Sequence, residues 1–198
     1  MVLTAESGVI GGVPAGGMDF GVTVNAECVL DQPYQFDFYD GGGLDVAFLG
    51  LAEMDAQGNI NVSRFGTKLP GCGGFINISQ NSKKVVYCGT FTAVGLKVAV
   101  ADGKLNILQE GRSKKLINKV GQITFSGEYA KEMGQQVFYI TERAVFKLSD
   151  KGVELIEIAP GIDLDKDVLQ HMDFRPIIDN VKLMDTRIFT DEKMGLHF

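Results

Sequence analysis

The residue whose type and setting best suit it for chemistry is Glu6. A short apolar run, residues 2–5, leads directly to this acid, and a glycine-rich stretch, residues 8–12, follows it. A core strand does not accommodate a charge, and neighbouring glycines allow another backbone or a ligand to approach closely. A carboxylate at such a junction can act as a base, a metal ligand or a nucleophile. The alternative is that Glu6 ends a strand and points to water, as most charged side chains do.

A second candidate is the loop 71–74, Gly-Cys-Gly-Gly, which opens a helix predicted at 74–82. Backbone N–H groups at a helix N-terminus, with no side chain in the way, stabilise an oxyanion or a phosphate. The motif is short, and it matches neither the phosphate-binding loop nor the dinucleotide-binding fingerprint. Cys72 is a weak candidate for a nucleophile because no histidine follows at a spacing that suggests a catalytic triad.

The composition excludes several classes of function. The net charge of −6 argues against a nucleic-acid-binding surface, and no apolar run approaches the ~18 residues of a membrane span. The N-terminus lacks the features of a signal peptide. Three cysteines without C-x-x-C spacing indicate free thiols in a reducing cytoplasm, and two histidines do not support a histidine-rich metal site. We therefore expect a cytoplasmic protein that binds neither membranes nor nucleic acid.

The order of the predicted elements favours an α/β fold. Residues 44–51 and 85–91 are nearly continuous apolar runs, which are typical of strands buried on both faces of a parallel sheet. The glycine loop and its helix lie between them, and this order gives an open, mostly parallel sheet flanked by helices. Because no repeat or linker is present, we predict one domain over residues 1–198, with a strand-rich C-terminal part.

Three further segments carry local signals. Residues 25–30 are predicted to form a short helix that ends before Pro33. Residues 34–39 alternate aromatic and polar side chains, which indicates a half-buried strand or an aromatic wall. The Asp-Gly pair at 102–103 predicts a β-hairpin over residues 96–109.

Three motifs, in this order, resemble those of the family I coenzyme A transferases. The segment 6–12, Glu-Ser-Gly-Val-Ile-Gly-Gly, resembles the family's active-site segment, which holds a nucleophilic glutamate. Residues 40–50 resemble the strand that follows it, and residues 71–75 resemble the G-x-G-G loop. The segment 157–163 also occurs in the single-chain branch of the propionate or acetate CoA-transferase type. The resemblance covers nearly the whole chain.

This resemblance implies roles for particular residues. Glu6 would be the nucleophile, the Gly74 N–H would contribute to the oxyanion hole, and Gly73 and Gly74 would contact coenzyme A. Coenzyme A would pass from a short-chain acyl-CoA to a carboxylic acid through a glutamyl-CoA thioester. It is then a substrate, and neither a tightly bound cofactor nor a metal is expected. Because the attacking groups are already anions, no general base is needed, which agrees with the scarcity of histidine.

The resemblance also implies a partner. Full-length enzymes of this branch have an N-terminal half with its own α/β fold, which supplies much of the coenzyme A site. Here Met1 lies five residues before Glu6. The chain is therefore expected to act as the C-terminal half, or as a β subunit, together with an N-terminal (α) half and within an oligomer.

Two alternatives remain open from the sequence. One is an acyl-CoA hydrolase on the same scaffold, in which water replaces the acceptor acid; dependence of turnover on an acceptor separates the two. The other is a non-catalytic ligand-sensing domain, because this fold class also hosts sugar-phosphate isomerases and effector sensors. A sensor would have no use for a carboxylate that faces the glycine loop.

Overall fold

The computed structural model of the protein describes residues 1–196. Within them lie three α-helices, namely α1 Gln32–Asp40, α2 Phe75–Asn81 and α3 Gly127–Glu132. Short 3-10 turns lie at Gly17–Asp19, Leu169–His171 and Thr186–Phe189, and a π-helical turn lies at Leu164–Val168. The strands are β1 Thr4–Ala5, β2 Val9–Ile10, β3 Val13–Pro14, β4 Thr23–Val24, β5 Cys28–Val29, β6 Val46–Gly50, β7 Glu53–Asp55, β8 Ile60–Asn61, β9 Lys84–Cys88, β10 Thr92–Ala93, β11 Lys97–Ala101, β12 Lys104–Gln109, β13 Ser113–Lys114, β14 Leu116–Ile117, β15 Gln136–Ile140, β16 Ala144–Ser149, β17 Gly152–Ile158 and β18 Lys182–Leu183.

The main sheet has six strands in the order β18-β17-β16-β15-β9-β6. Three of its five pairings are parallel, namely β18–β17, β15–β9 and β9–β6, and the two pairings that β16 makes are antiparallel. The predicted α/β class with a mostly parallel sheet is therefore confirmed. The strand-rich C-terminal part is also present, since β15, β16 and β17 follow one another along the chain.

An aromatic stack joins α2 to the centre of the sheet. The ring of Phe75 stacks on Tyr87 with 5.7 Å between centroids, and Tyr87 stacks on Tyr139 at 5.6 Å. Both tyrosines are fully buried. The Tyr139 hydroxyl donates a hydrogen bond to the Gly58 carbonyl at 2.6 Å, and burial raises the pKa of this phenol. The first turn of α2 is thereby held against β9 by rings that bury a large apolar area.

The prediction of a strand at residues 34–39 was wrong, because this segment forms most of α1. Pro33, which the sequence analysis predicts to end a helix, lies in the first turn of α1, where a proline costs nothing. The side chains that α1 buries are Gln35 and Tyr39, four positions apart, which is the spacing of one helix face. The helix predicted at 25–30 was also wrong, since β5 occupies part of it and pairs with β2.

Two local predictions are confirmed. The helix expected at 74–82 is α2, which differs from the prediction by one residue at each end. The hairpin is formed by β11 and β12, and its turn residues Asp102 and Gly103 have φ angles of 53° and 70°. Positive φ at both positions is the geometry that an Asp-Gly hairpin turn requires.

A buried guanidinium ties the end of β12 to the turn between β15 and β16. Arg143 is fully buried, and its Nη1 and Nε atoms donate to Glu110 at 2.6 Å and to Glu142 at 2.7 Å. Its guanidinium also lies 4.9 Å from the centroid of the Phe91 ring. Burial alone would raise the pKa of Glu110, but hydrogen bonds from Arg143, Thr92 and the Gly111 N–H together lower it to about 2.

The depressed pKa makes stability depend on pH. We expect Glu110→Gln to lower the free energy of unfolding at pH 7 by about 1–3 kcal/mol, because a buried guanidinium loses part of its ionic partner. The folded-state pKa lies below the unfolded value, so this contribution is present above pH 4.5 and is lost between pH 4.5 and about 2. Urea unfolding of both proteins at pH 7, 5, 4 and 3 measures it. A deficit that stays constant as the pH falls through 4.5 would show that the charge of Glu110 contributes nothing.

Candidate functional site

Glu6 lies at the corner of the tight turn that joins β1 to β2. The two strands pair antiparallel, with Ala5 opposite Val9, and the Gly8 N–H donates to the Ala5 carbonyl at 3.0 Å. Gly8 has a φ of +106°, and a Cβ atom there would lie 2.0 Å from the Leu30 carbonyl oxygen. Only glycine fits at this position. The predicted setting of Glu6, between a strand end and a glycine turn, is what the structure shows.

A buried polar cluster anchors β1 on α1, next to Glu6. The side-chain amide of Gln35, fully buried, donates to the Ala5 carbonyl at 3.0 Å and to the Tyr39 hydroxyl at 2.7 Å. The Thr4 hydroxyl lies 2.8 Å from the Tyr39 hydroxyl and also contacts the Gln35 amide. Because Ala5 directly precedes Glu6, these bonds fix the backbone that presents the carboxylate.

The glycine loop meets Glu6 although 68 positions separate Glu6 from Gly74 in the sequence. The Gly74 N–H donates to Glu6 Oε1 at 3.0 Å, and among the described residues this is the hydrogen bond that the carboxylate receives. A Cβ atom on Gly73 would lie 3.4 Å from the same oxygen. A Cβ atom on Gly74 would lie 2.3 Å from Phe36 Cζ and 3.0 Å from Glu6 Cδ, so the contact requires a glycine.

An open pocket of about 400 Å³ lies beside this contact. It is lined by Glu6, Gln32, Pro33, Phe36, Gly73 and Gly74. The structure thus brings together all three residues that the sequence singled out. It adds α1, which supplies the aromatic wall through Phe36. Sequence reasoning missed Gln35 because it read this segment as a strand; the four-residue spacing of Gln35 and Tyr39 was the available signal.

The remaining candidate, Cys72, lies outside the pocket lining. Cys72 is half-buried, and its carbonyl accepts the Phe75 N–H at 3.0 Å. His171 belongs to the Arg143 cluster, with its Nε2 atom 3.5 Å from Glu110. In residues 1–196 no three histidine, cysteine or acidic side chains are grouped so that they could hold a metal ion. Over the same residues, every helix is too short or too polar to cross a membrane.

The pocket therefore holds a carboxylate with one oxygen on a backbone N–H donor and space for a ligand beside it. Such an arrangement suits a nucleophile whose carbonyl oxygen takes up negative charge during the reaction. It is poorly suited to general acid–base catalysis through a histidine, because neither the pocket lining nor the neighbouring anchor cluster contains one.

Comparison of sequences gives two informative relatives. The chain is 56% identical over 195 residues to the acetate CoA-transferase YdiF of Escherichia coli O157:H7, and it is 52% identical over 202 residues to the caffeate CoA-transferase of Acetobacterium woodii. These alignments cover 98% and 99% of this chain but only 37% and 38% of the relatives. The chain thus spans little more than a third of the length of the curated relatives that it matches. No family model matches the chain.

Comparison of structures finds the same kind of relatives as comparison of sequences. The crystal structure of the acyl-CoA transferase YdiF apoenzyme from E. coli O157:H7 matches 99% of this chain, with a TM-score of 0.93 and 55% sequence identity, over 37% of its own length. A second structure of that protein is a thioester complex with CoA. Glutaconate coenzyme A-transferase from Acidaminococcus fermentans shares the fold at a TM-score of 0.68 and 18% identity. By its sequence, its fold and these relatives, the chain belongs to the family I coenzyme A transferases.

Proposed function

We propose that this chain is the part of an acyl-CoA:carboxylate CoA-transferase that carries the nucleophile, and that Glu6 is that nucleophile. The observation that supports this most directly is the 3.0 Å hydrogen bond from the Gly74 N–H to Glu6 Oε1, beside an open pocket. The relatives are named for transfer of coenzyme A to acetate and caffeate, and a similar structure was solved as a thioester complex with CoA. The substrates are a short-chain acyl-CoA and a carboxylic acid.

The chemistry proceeds by two displacements in each direction. The free oxygen of Glu6 attacks the thioester carbonyl of the acyl-CoA, the thiolate of coenzyme A leaves, and an acyl–glutamyl anhydride remains. The thiolate then attacks the glutamyl carbonyl, which releases the acid and leaves a glutamyl-CoA thioester. The acceptor carboxylate repeats these steps in reverse and leaves as the new acyl-CoA. Every attacking and leaving group is an anion, so no proton is transferred and kinetics are ping-pong.

The Gly74 N–H has a defined role in this scheme. When the thiolate attacks the glutamyl carbonyl, negative charge develops on the oxygen that the N–H already holds. A preformed donor of this kind contributes about 3–4 kcal/mol to the stability of the tetrahedral intermediate. The Gly73 backbone, on the same side of the carboxylate, gives coenzyme A a surface that it can approach closely. Phe36 and Pro33 help to exclude water, which would hydrolyse the anhydride and the thioester.

The rest of the proposal concerns the assembly. The arm formed by residues 13–24 exposes large apolar side chains, among them Val13, Phe20 and Val24 at 69%, 70% and 62%. Exposed apolar surface of this kind marks an interaction site. We assign it to the N-terminal (α) half, because the relatives have nearly two thirds of their length outside the matched region. Residues 1–198 then act as one domain of a cytoplasmic oligomeric enzyme, with coenzyme A as substrate and no tightly bound cofactor.

The central test of this proposal removes the nucleophile. We expect Glu6→Gln in the complete enzyme to lower kcat for transfer by at least about a thousandfold and to leave the affinity for coenzyme A nearly unchanged, because an amide oxygen cannot form the anhydride. Glu132→Gln, on the exposed end of α3, is the matched control and should retain activity. Borohydride reduction after incubation with acyl-CoA, followed by mass spectrometry, should modify the peptide that contains Glu6. Wild-type turnover in Glu6→Gln would exclude Glu6 as the nucleophile.

A second prediction concerns the oxyanion donor. We expect Gly74→Ala to lower kcat by about 100-fold to 1000-fold, because the added methyl group collides with Phe36 and displaces the N–H from Glu6. Gly121→Ala is the control, since a Cβ atom at Gly121 meets no other atom within 4 Å. Steady-state kinetics with thermal unfolding of both variants separates loss of the donor from loss of the fold. Normal turnover in a folded Gly74→Ala enzyme would exclude this role.

A third prediction concerns the partner half. The isolated chain should give the circular dichroism of a folded α/β protein but should not transfer coenzyme A. Mixing it with the complementary N-terminal half should restore transfer from acyl-CoA to acetate, with activity that saturates as the second half is added. Full activity of the isolated chain would refute the need for a partner.

A further inference from the structure

A second hollow, of about 290 Å³, lies at the carboxyl ends of β6 and β9. The last residues of these strands, Gly50 and Cys88, are partners in the parallel register. In open α/β sheets, ligands bind in the crevice outside the carboxyl ends of the strands. The hollow is lined by Gly50, Leu51, Ala52, Val62, Phe75 and Cys88.

This hollow adjoins the Glu6 pocket at the start of α2. Gly74 belongs to the lining of the first, and the next residue, Phe75, belongs to the lining of the second. The two linings therefore meet where Phe75 follows Gly74 in the chain, which places the hollow next to the site of the reacting carbonyl.

The walls of the hollow are preformed and apolar. Phe75 is held by its stack on the buried Tyr87, and the Leu51 N–H donates to the Cys88 carbonyl at 2.8 Å. Cys88 is exposed to solvent, yet its partial burial raises the pKa of its thiol. The thiol therefore remains neutral. Among the lining side chains, the thiol of Cys88 is the one that bears a hydrogen-bonding group.

The chemistry of the lining discriminates between the parts of an acyl-CoA. The pantetheine arm carries two amide groups, which lose free energy when they are buried without hydrogen-bond partners. A saturated acyl chain has no such groups, and it gains free energy with each methylene that it removes from water. We propose that the second hollow binds the acyl chain of the acyl-CoA whose carbonyl carbon is attacked by the free oxygen of Glu6, and that Ala52 and Val62 set the chain length. This inference rests on the proposed function.

Two substitutions with opposite effects on the hollow test the inference in the complete enzyme. Ala52→Leu fills the hollow, and Val62→Ala enlarges it; both positions are half-buried, so small repacking is tolerated. The measured quantity is the ratio of kcat/KM for butyryl-CoA to that for acetyl-CoA. We expect this ratio to fall at least about tenfold in Ala52→Leu and to rise in Val62→Ala, because one methylene in an apolar pocket changes specificity by about 10-fold or more.

The matched control is Ala101→Leu, at an exposed position in the β11–β12 hairpin, which should leave the ratio unchanged. Thermal unfolding of each variant verifies that it is folded. An unchanged ratio in folded Ala52→Leu would overturn the inference. An equal loss of kcat/KM for both substrates would also overturn it, because the hollow would then serve a part of the substrate common to both.

A binding measurement separates this inference from the proposed function. Dissociation constants of the unreactive thioethers ethyl-CoA and butyl-CoA are measured for the wild type and for Ala52→Leu. If the ratio of the two constants shifts at least about tenfold against butyl-CoA, the hollow binds the chain even in an enzyme that transfers no coenzyme A. If the wild type transfers coenzyme A but the variant binds both thioethers with the wild-type ratio, the assignment of the hollow is wrong and the proposed function stands.

Discussion

The hydrogen bond between the Gly74 N–H and the Glu6 carboxylate is the contact on which the rest of the site depends. It joins a turn at the start of the chain to a loop 68 positions later, and neither segment is regular enough to hold the other in place alone. The turn is fixed by the Gln35 cluster on α1, and the loop is fixed by the aromatic stack of Phe75 on the sheet. Two independent anchors thus bring one donor and one acceptor to 3.0 Å.

Close packing around this contact leaves little freedom in residue type. A methyl group at Gly74 would collide with the Phe36 ring. A methyl group at Gly8 would collide with the Leu30 carbonyl oxygen. Because Gly74 carries no side chain, its N–H can stay in contact with the Glu6 oxygen with little movement as the charge on that oxygen changes during the reaction. The glycines at these positions therefore define the geometry of the site as firmly as the acid does.

The parts of the fold and site that could be predicted are those with a local signal. Glu6 and the loop at 71–74 combine residue types that have few structural uses together, and the apolar runs around α2 specify parallel strands. α1 was missed because its aromatic residues alternate like a strand, while its buried face depends on β1, which is distant in the sequence. The role of Gln35 was missed together with α1, although its four-residue spacing from Tyr39 fits one face of a helix, and the second hollow has no signal in the sequence. Both arise from contacts that exist only when strands β1, β6 and β9 take their places.

The strand order of the main sheet has a consequence for the isolated polypeptide. β6 forms one end of the sheet, and its side chains include Val46 and Phe48, which are 39% and 65% exposed. An uncovered edge with apolar side chains is a template for strand addition between molecules. If the chain produced alone has low solubility, the cause would be this uncovered edge of the sheet. The low solubility would then carry no information about how well the chain folds.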